Sequence, residues 1–200
     1  MPNWKGADPP KNMPKNQGTL YMMTSLKTMI PKVEGVSISN GLEWSLDGKI
    51  MYYIDSIPRK VLAFDFDGFD GSITNQRVVF DFEAKSVQGF PDGMTICDKG
   101  HLWVACFGGS QVCFWLKSSE FVYIVFFKVL VIDPSTGNHH SISFDGMAKN
   151  ITSVAFGGSN LKDLYVTSAT HPEGEELKGG HLFVVKNTGA TGLPARNFKE

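Results

Sequence analysis

Three oxygen-bearing side chains, Asn40, Asp92 and Thr152, occupy matching places in an internal repeat of this 200-residue chain. Each stands just ahead of a short apolar run. An amide, a carboxylate and a hydroxyl brought to one axis are oxygen ligands suited to a hard divalent cation such as Ca²⁺. A softer transition metal is a poor match, because the chain has no His/Cys spacing of the CxxC or HxxxH kind. The adjacent pair His139-His140 falls in a predicted turn, away from that axis. Asp55 ends a second strand and is a further candidate to line the mouth of a channel. Taken alone, Asn40-Gly41 and Pro91-Asp92-Gly93 are ordinary turn sequences. Their shared place in the repeat is what singles them out.

The elements that must position these residues read as strands. Short runs rich in Val, Ile, Tyr, Phe and Trp alternate with Gly, Asp, Asn and Pro punctuation. The pattern predicts strands over Lys49–Ile54, Val61–Phe66, Arg77–Phe82, His101–Phe107, Leu164–Ser168 and His181–Lys186. Hairpin signals fall at Asp47-Gly48, Asp98-Lys99-Gly100, Gly108-Gly109 and Gly179-Gly180. NGLEWSLDGKIMYYIDS from Asn40, DGMTICDKGHLWVACFG from Asp92 and TSVAFGGSNLKDLYVTSA from Thr152 share one plan. Each has an apolar strand, a Gly-containing turn and a second strand centred on Tyr52, Trp103 or Tyr165. A third strand follows each: KVLAFDFD, VLVID and GHLFVV. GTLYMM near the N-terminus matches the third strand of a further unit.

Such a repeat predicts an all-β fold, an incomplete six-bladed β-propeller of about three and a half blades with four-stranded antiparallel sheets. Residues 1–17 form an irregular remnant and 18–200 the propeller domain. Three and a half blades leave apolar faces and strand edges open, so the chain is expected to be incomplete or to self-associate through those edges. The first two units start 52 residues apart and the next two 60 apart. The excess lies in WLKSSEFVYIVFFK, an apolar insertion at about 115–128. Three readings fit it: an ordinary buried strand, a genuine insertion, or translated non-coding sequence. Its apolar run is too short to span a bilayer, which needs ~20 residues, and it is the segment most prone to aggregate.

Composition narrows the function classes. A net charge of −1 gives no footprint for nucleic acid or an anionic membrane. The N-terminal sequence has no apolar core, so neither a signal peptide nor an anchor is expected, and the default compartment is cytoplasmic. The sequon at Asn150 is then read as chance. Three cysteines, Cys97, Cys106 and Cys113, do not make a disulfide framework. Cys106 reads as a small buried residue rather than a nucleophile. Ser110, His101 and Asp98 make no triad, since no nucleophile elbow is present. Trp44, Trp103 and Phe156 read as blade core, and Asp65 and Asp67 as a solvated strand face.

The strings SISNGLEWSLDGKIMYYIDS, PDGMTICDKGHLWVACFGG and ITSVAFGGSNLKDLYVTSA resemble the regucalcin/gluconolactonase family, also called senescence marker protein, which includes the insect luciferin-regenerating enzyme. The resemblance covers about residues 18–114 and 129–200, and GLPARNFKE resembles the family's natural end. It implies a six-bladed propeller with one divalent cation, Ca²⁺ or Zn²⁺, in the channel, held by a Glu, an Asn and an Asp. The Asn of the family's NGL(D/E)W motif falls on Asn40. The Asp of its PDG(M) motif falls on Asp92, implied both as ligand and as acid/base residue. The family's Glu, in an EGPxW motif, and its substrate-binding RxNDGK-like stretch are absent; WKGADPPKNMPKNQG resembles a degraded version of the segment just after that stretch. The implied function is divalent-metal-dependent hydrolysis of a sugar lactone such as gluconolactone, impaired in this chain because one ligand is missing. Two alternatives stand beside it: a non-catalytic calcium-binding regulator, and a propeller scaffold that binds protein.

Overall fold

The computed structural model describes residues 15–109, 111–117, 120–145, 148, 150–170 and 179–195, with 111–117, 120–127 and 144–145 described by backbone alone. Within these it is all β. The strands are β1 (Gly18–Met23), β2 (Met29–Val36), β3 (Ser39–Trp44), β4 (Ile50–Asp55), β5 (Lys60–Phe66), β6 (Ile73–Asp81), β7 (Phe90–Ile96), β8 (Leu102–Phe107), β9 (Gln111–Lys117), β10 (Glu120–Ile132), β11 (His139–Asp145), β12 (Asn150–Gly157), β13 (Asp163–Ala169) and β14 (Leu182–Val185). They form an incomplete β-propeller. β1 and β2 are a two-stranded fragment, and β3-β4-β5-β6 is a complete blade. β7, β8, β10 and β11 make the next blade, and β12-β13-β14 a three-stranded one. A single pairing, Asn150 with Phe107, bridges the last two. Of the N-terminal remnant only 15–17 falls within the described residues; Ser110 and the last five residues of GLPARNFKE lie outside them. No helix long and apolar enough to cross a membrane occurs among the described residues.

Alternation along the strands decides which wall each residue joins. On β8, Leu102, Val104 and Cys106 face one way and pack with Tyr52, Ile54, Val61 and Phe80 between the two four-stranded blades. Trp103 and Ala105 face the other way and meet Val131, Val154 and Val166. Trp103 stacks edge-on against Phe156, centroids 5.1 Å apart, so both are blade core. Trp44 likewise meets Phe66 edge-on at 5.7 Å. Asp65, expected on a solvated face, is exposed there and pairs with Arg77 at 2.7 Å. His139-His140 stands at the start of β11 rather than in a turn. The turn comes earlier, where the Asp133 carboxylate caps Ser135 and Thr136.

The apolar insertion takes a specific form. β9 and the first half of β10 pair as a hairpin, from Gln111 opposite Phe126 to Lys117 opposite Glu120. The second half of β10 joins the blade, with Val129–Ile132 opposite Leu102–Ala105. The seam therefore lies at Phe126–Phe127. Lys128, counted with the insertion from sequence, is a buried residue of the blade strand opposite Ser143.

β3, β7 and β12 stand at the inner edges and pack side by side. Their approach reaches backbone contact at two glycines. A Cβ on Gly41 would lie 2.6 Å from Met94 Cβ and 2.9 Å from the Asp92 carbonyl oxygen. A Cβ on Gly93 would lie 2.8 Å from Ser153 Cα. These glycines permit close packing of neighbouring inner strands, a role the turn reading of NG and PDG missed. We expect Gly93→Ala to destabilise the fold by about 1–3 kcal/mol through overpacking, read as a lowered Tm in thermal denaturation; an unchanged Tm would show that the strands can part. Excising 111–126 should leave the β8–β10 ladder and the Tm intact while reducing aggregation in light scattering. Loss of cooperative melting would show instead that the hairpin belongs to the core.

Candidate functional site

The three inner strands share one irregularity. Pairing of β3 with β4 shifts between Ser39 and Leu42, that of β7 with β8 between Pro91 and Met94, and that of β12 with β13 between Ile151 and Ser153. Each shift is a β-bulge, which re-aims the side chains it contains. The residues inside the three bulges are Asn40-Gly41, Asp92-Gly93 and Thr152. A repeat visible in sequence is thus a repeat of backbone geometry at the same point of each inner strand.

Two of the three side chains meet. Asn40 and Asp92 both line a cavity of about 320 Å³, together with Ser56 and an apolar wall that includes Ile38, Ile57, Phe90 and Phe107. Burial pushes the Asp92 carboxyl up to about 6, while the Asn40 side chain and the Gly93 N–H favour its charged form. None of these three influences is a cation. Asn40 Nδ2 also donates to Ser56 Oγ at 3.1 Å, and Ser56 Oγ–H donates to the Pro91 carbonyl at 2.6 Å. The Ser56 N–H is held by the Ile38 carbonyl at 3.1 Å. The chain Asn40–Ser56–Pro91 therefore fastens the first blade's ligand candidate to the residue beside the second's.

The other two candidates stand elsewhere. Thr152 Oγ1 shares a 2.8 Å hydrogen bond with Thr167 Oγ1, within its own blade and off the cavity lining. The Asp55 carboxylate does not line this cavity either. Its two oxygens accept the N–H groups of Ser37 (3.0 Å) and Ile38 (2.9 Å), pinning the corner from which β3 starts. A strand alternates its faces, so the residue that reaches the cavity is the next one, Ser56. Sequence reasoning also missed Arg59. Its guanidinium donates to the carbonyls of Val87 (2.5 Å) and Gly89 (3.0 Å) and lies over the Phe90 ring, 5.8 Å from its centroid. It thereby holds the loop that carries the Phe90 wall. The only sequence signal for either residue is the DSIPR run that closes the strand.

The donor chemistry suits a hard cation. Asp92 is the one charged residue lining the cavity among the described residues, and a carboxylate beside an amide is oxygen ligation of the kind Ca²⁺ takes from protein. Two side chains supply fewer than the ~6–8 oxygens of a full Ca²⁺ shell, and no cluster of three or more His, Cys, Asp or Glu spaced for a metal occurs among the described residues. A nucleophilic cysteine has no support: Cys106 is fully buried, and burial pushes its thiol up to about 12.

Comparison with known proteins places this geometry. The model of the "SMP-30/Gluconolactonase/LRE-like region" matches residues 4–170. Regucalcin of Danio rerio is 36% identical over 185 residues, which are 90% of this chain and 56% of that protein. Regucalcin of Homo sapiens is 36% identical over 194 residues, 94% of this chain and 58% of its own length. The chain thus spans a little over half the length of the curated relatives it matches. Among solved structures, a luciferin-regenerating enzyme superposes with a TM-score of 0.75 at 36% identity, over 90% of this chain and 54% of its own. A calcium-binding protein, regucalcin, from Agrobacterium tumefaciens shares the fold at TM-score 0.70 and 22% identity, over 88% and 54% of the two chains. With bulged inner strands, the NGLEW and PDGM segments at one cavity and a family match over most of its length, this chain belongs to the SMP-30/gluconolactonase/luciferin-regenerating-enzyme family.

Proposed function

We propose that the cavity is a divalent-cation site whose chemistry is hydrolysis of a cyclic ester, a sugar lactone of the gluconolactone type. One observation carries the reading: the Asp92 carboxylate and the Asn40 amide, from neighbouring inner strands, face one cavity whose lining, among the described residues, includes no cationic side chain. Family membership and a solved gluconolactonase of Xanthomonas campestris with this fold, at TM-score 0.55, support the choice of ester.

A bound cation supplies Lewis-acid polarisation of the ester carbonyl. The protein's own residues supply the rest. Asp92, ionised above about pH 6, takes a proton from a water as that water's oxygen adds to the carbonyl carbon. When the ring C–O bond breaks, Asp92 returns the proton to the ring oxygen, leaving a hydroxy acid. Asn40 contributes a neutral oxygen, so a divalent ion held by the pair keeps net positive charge toward the substrate. The apolar wall excludes bulk water and strengthens each charge interaction.

A second reading, cation binding without turnover, is favoured by the same ligand count: one carboxylate, Asp92, and one amide, Asn40, with no second acid lining the cavity among the described residues. Calorimetric titration with Ca²⁺ and with Zn²⁺, run beside a gluconolactone hydrolysis assay, separates the two. Hydrolysis that needs the cation and falls about 10²- to 10⁴-fold in Asp92→Asn is expected; binding without hydrolysis would support the second reading, and neither would refute both. Because a proton and a cation compete for Asp92, affinity should fall as pH drops through about 6 and be about ten-fold weaker at pH 5 than at pH 7.5. A flat pH profile would exclude Asp92 as a ligand.

A further inference from the structure

Ser56 is almost wholly buried, at 4% exposure, and its hydroxyl has a fixed direction. The carbonyl oxygen of Pro91, 2.6 Å away, can only accept, so the single hydroxyl proton of Ser56 is committed to it. Toward Asn40, at 3.1 Å, Ser56 Oγ can then only accept. That requirement selects one of the two orientations of the Asn40 amide, which side-chain electron density alone seldom distinguishes. The NH₂ group must face Ser56. With the NH₂ group held there, the carbonyl oxygen Oδ1 is left outside that bond.

The geometry points to Ser56 as the residue that positions Asn40 for cation binding, by locking its amide with Oδ1 presented as the ligand atom. This rests on the reading of the cavity as a cation site. Ser56 does not itself touch the ion. Its action is directional: a proton chain from Asn40 through Ser56 to Pro91 links an inner strand of one blade to that of the next. Pro91 immediately precedes Asp92, so the same chain also registers the two ligands to each other.

Residues that orient a metal ligand typically change metal affinity about 10- to 100-fold when removed. Ser56→Ala in the full chain should weaken Ca²⁺ binding by that factor in calorimetry, whereas Ser56→Thr, which keeps the hydroxyl, should restore it. In an Asn40→Ala background, Ser56→Ala should add no further loss. The positioning is read separately, without metal, from the Asn40 side-chain NH₂ resonances in a ¹⁵N–¹H spectrum. In the unsubstituted protein they should be shifted and slow to exchange, with contacts to Ser56; in Ser56→Ala they should collapse toward free-amide values. Thermal denaturation of each variant separates this from a loss of fold. If the unsubstituted protein takes no Ca²⁺ while its Asn40 NH₂ is held, the cation reading falls and the positioning stands. If Ser56→Ala keeps both the NH₂ signals and the affinity of the unsubstituted protein, the inference is overturned.

Discussion

Near the axis of a propeller, the inner strands of adjacent blades must come together until their backbones touch, and the site depends on that constraint. β3 reaches β7 at Gly41, and β7 reaches β12 at Gly93, with no room for a Cβ at either point. A pair of oxygen side chains drawn from two blades needs this proximity, because each strand brings one such side chain to the cavity. The bulges at these same positions supply the second requirement. A regular strand would continue its alternation and send every second side chain into the packing between blades. The extra residue lets Asn40 and Asp92 leave that alternation and face the cavity. Small residue, bulge and cavity-facing polar side chain are therefore one device, used in both four-stranded blades.

Electrostatics gives the device its chemical character. The wall around Asp92 is apolar, and burying a carboxylate there without a partner is unfavourable. The carboxyl responds by holding its proton up to about pH 6. An arginine or lysine at this spot would relieve the penalty but would also fill the position of a cation. Asn40 relieves only part of it, as a neutral donor, which is why the proposed occupant is an external positive charge. The nearby thiol of Cys106 illustrates the opposite outcome, since its burial in the packing between blades removes it from chemistry.

Rigid supports surround the pair. Asp55 fixes the start of β3 by holding two consecutive backbone N–H groups. Arg59 ties the turn after β4 to the loop before β7 through two carbonyls. Ser56, between them in the chain, connects Asn40 to the Pro91 carbonyl beside Asp92. Three residues within one five-residue run, Asp55, Ser56 and Arg59, thus brace the corner of β3, the Asn40 side of the cavity and its Phe90 wall. Such bracing limits the motion of the side chains that, on the proposed reading, hold an ion.

Most of the strands, the repeat and the two residues that meet were legible in the chain before any folding, because period-2 alternation, Gly and Asp punctuation and recurrence at one spacing are local properties; β2 and β11 were not. Asn40 and Asp92 could be picked out for that reason, as could the core roles of Trp103 and Phe156. Whatever depends on a neighbouring blade was settled by tertiary packing instead. Packing turned Asp55 toward backbone N–H groups and gave the cavity to Ser56, since the direction of a residue at a strand end depends on the partner it finds. It kept Thr152 on a hydroxyl of its own blade, although its place in the repeat matches the others. It set the insertion's seam at Phe126–Phe127, where one long strand passes from its hairpin into the blade, because an apolar run carries no mark of which strand it will pair with.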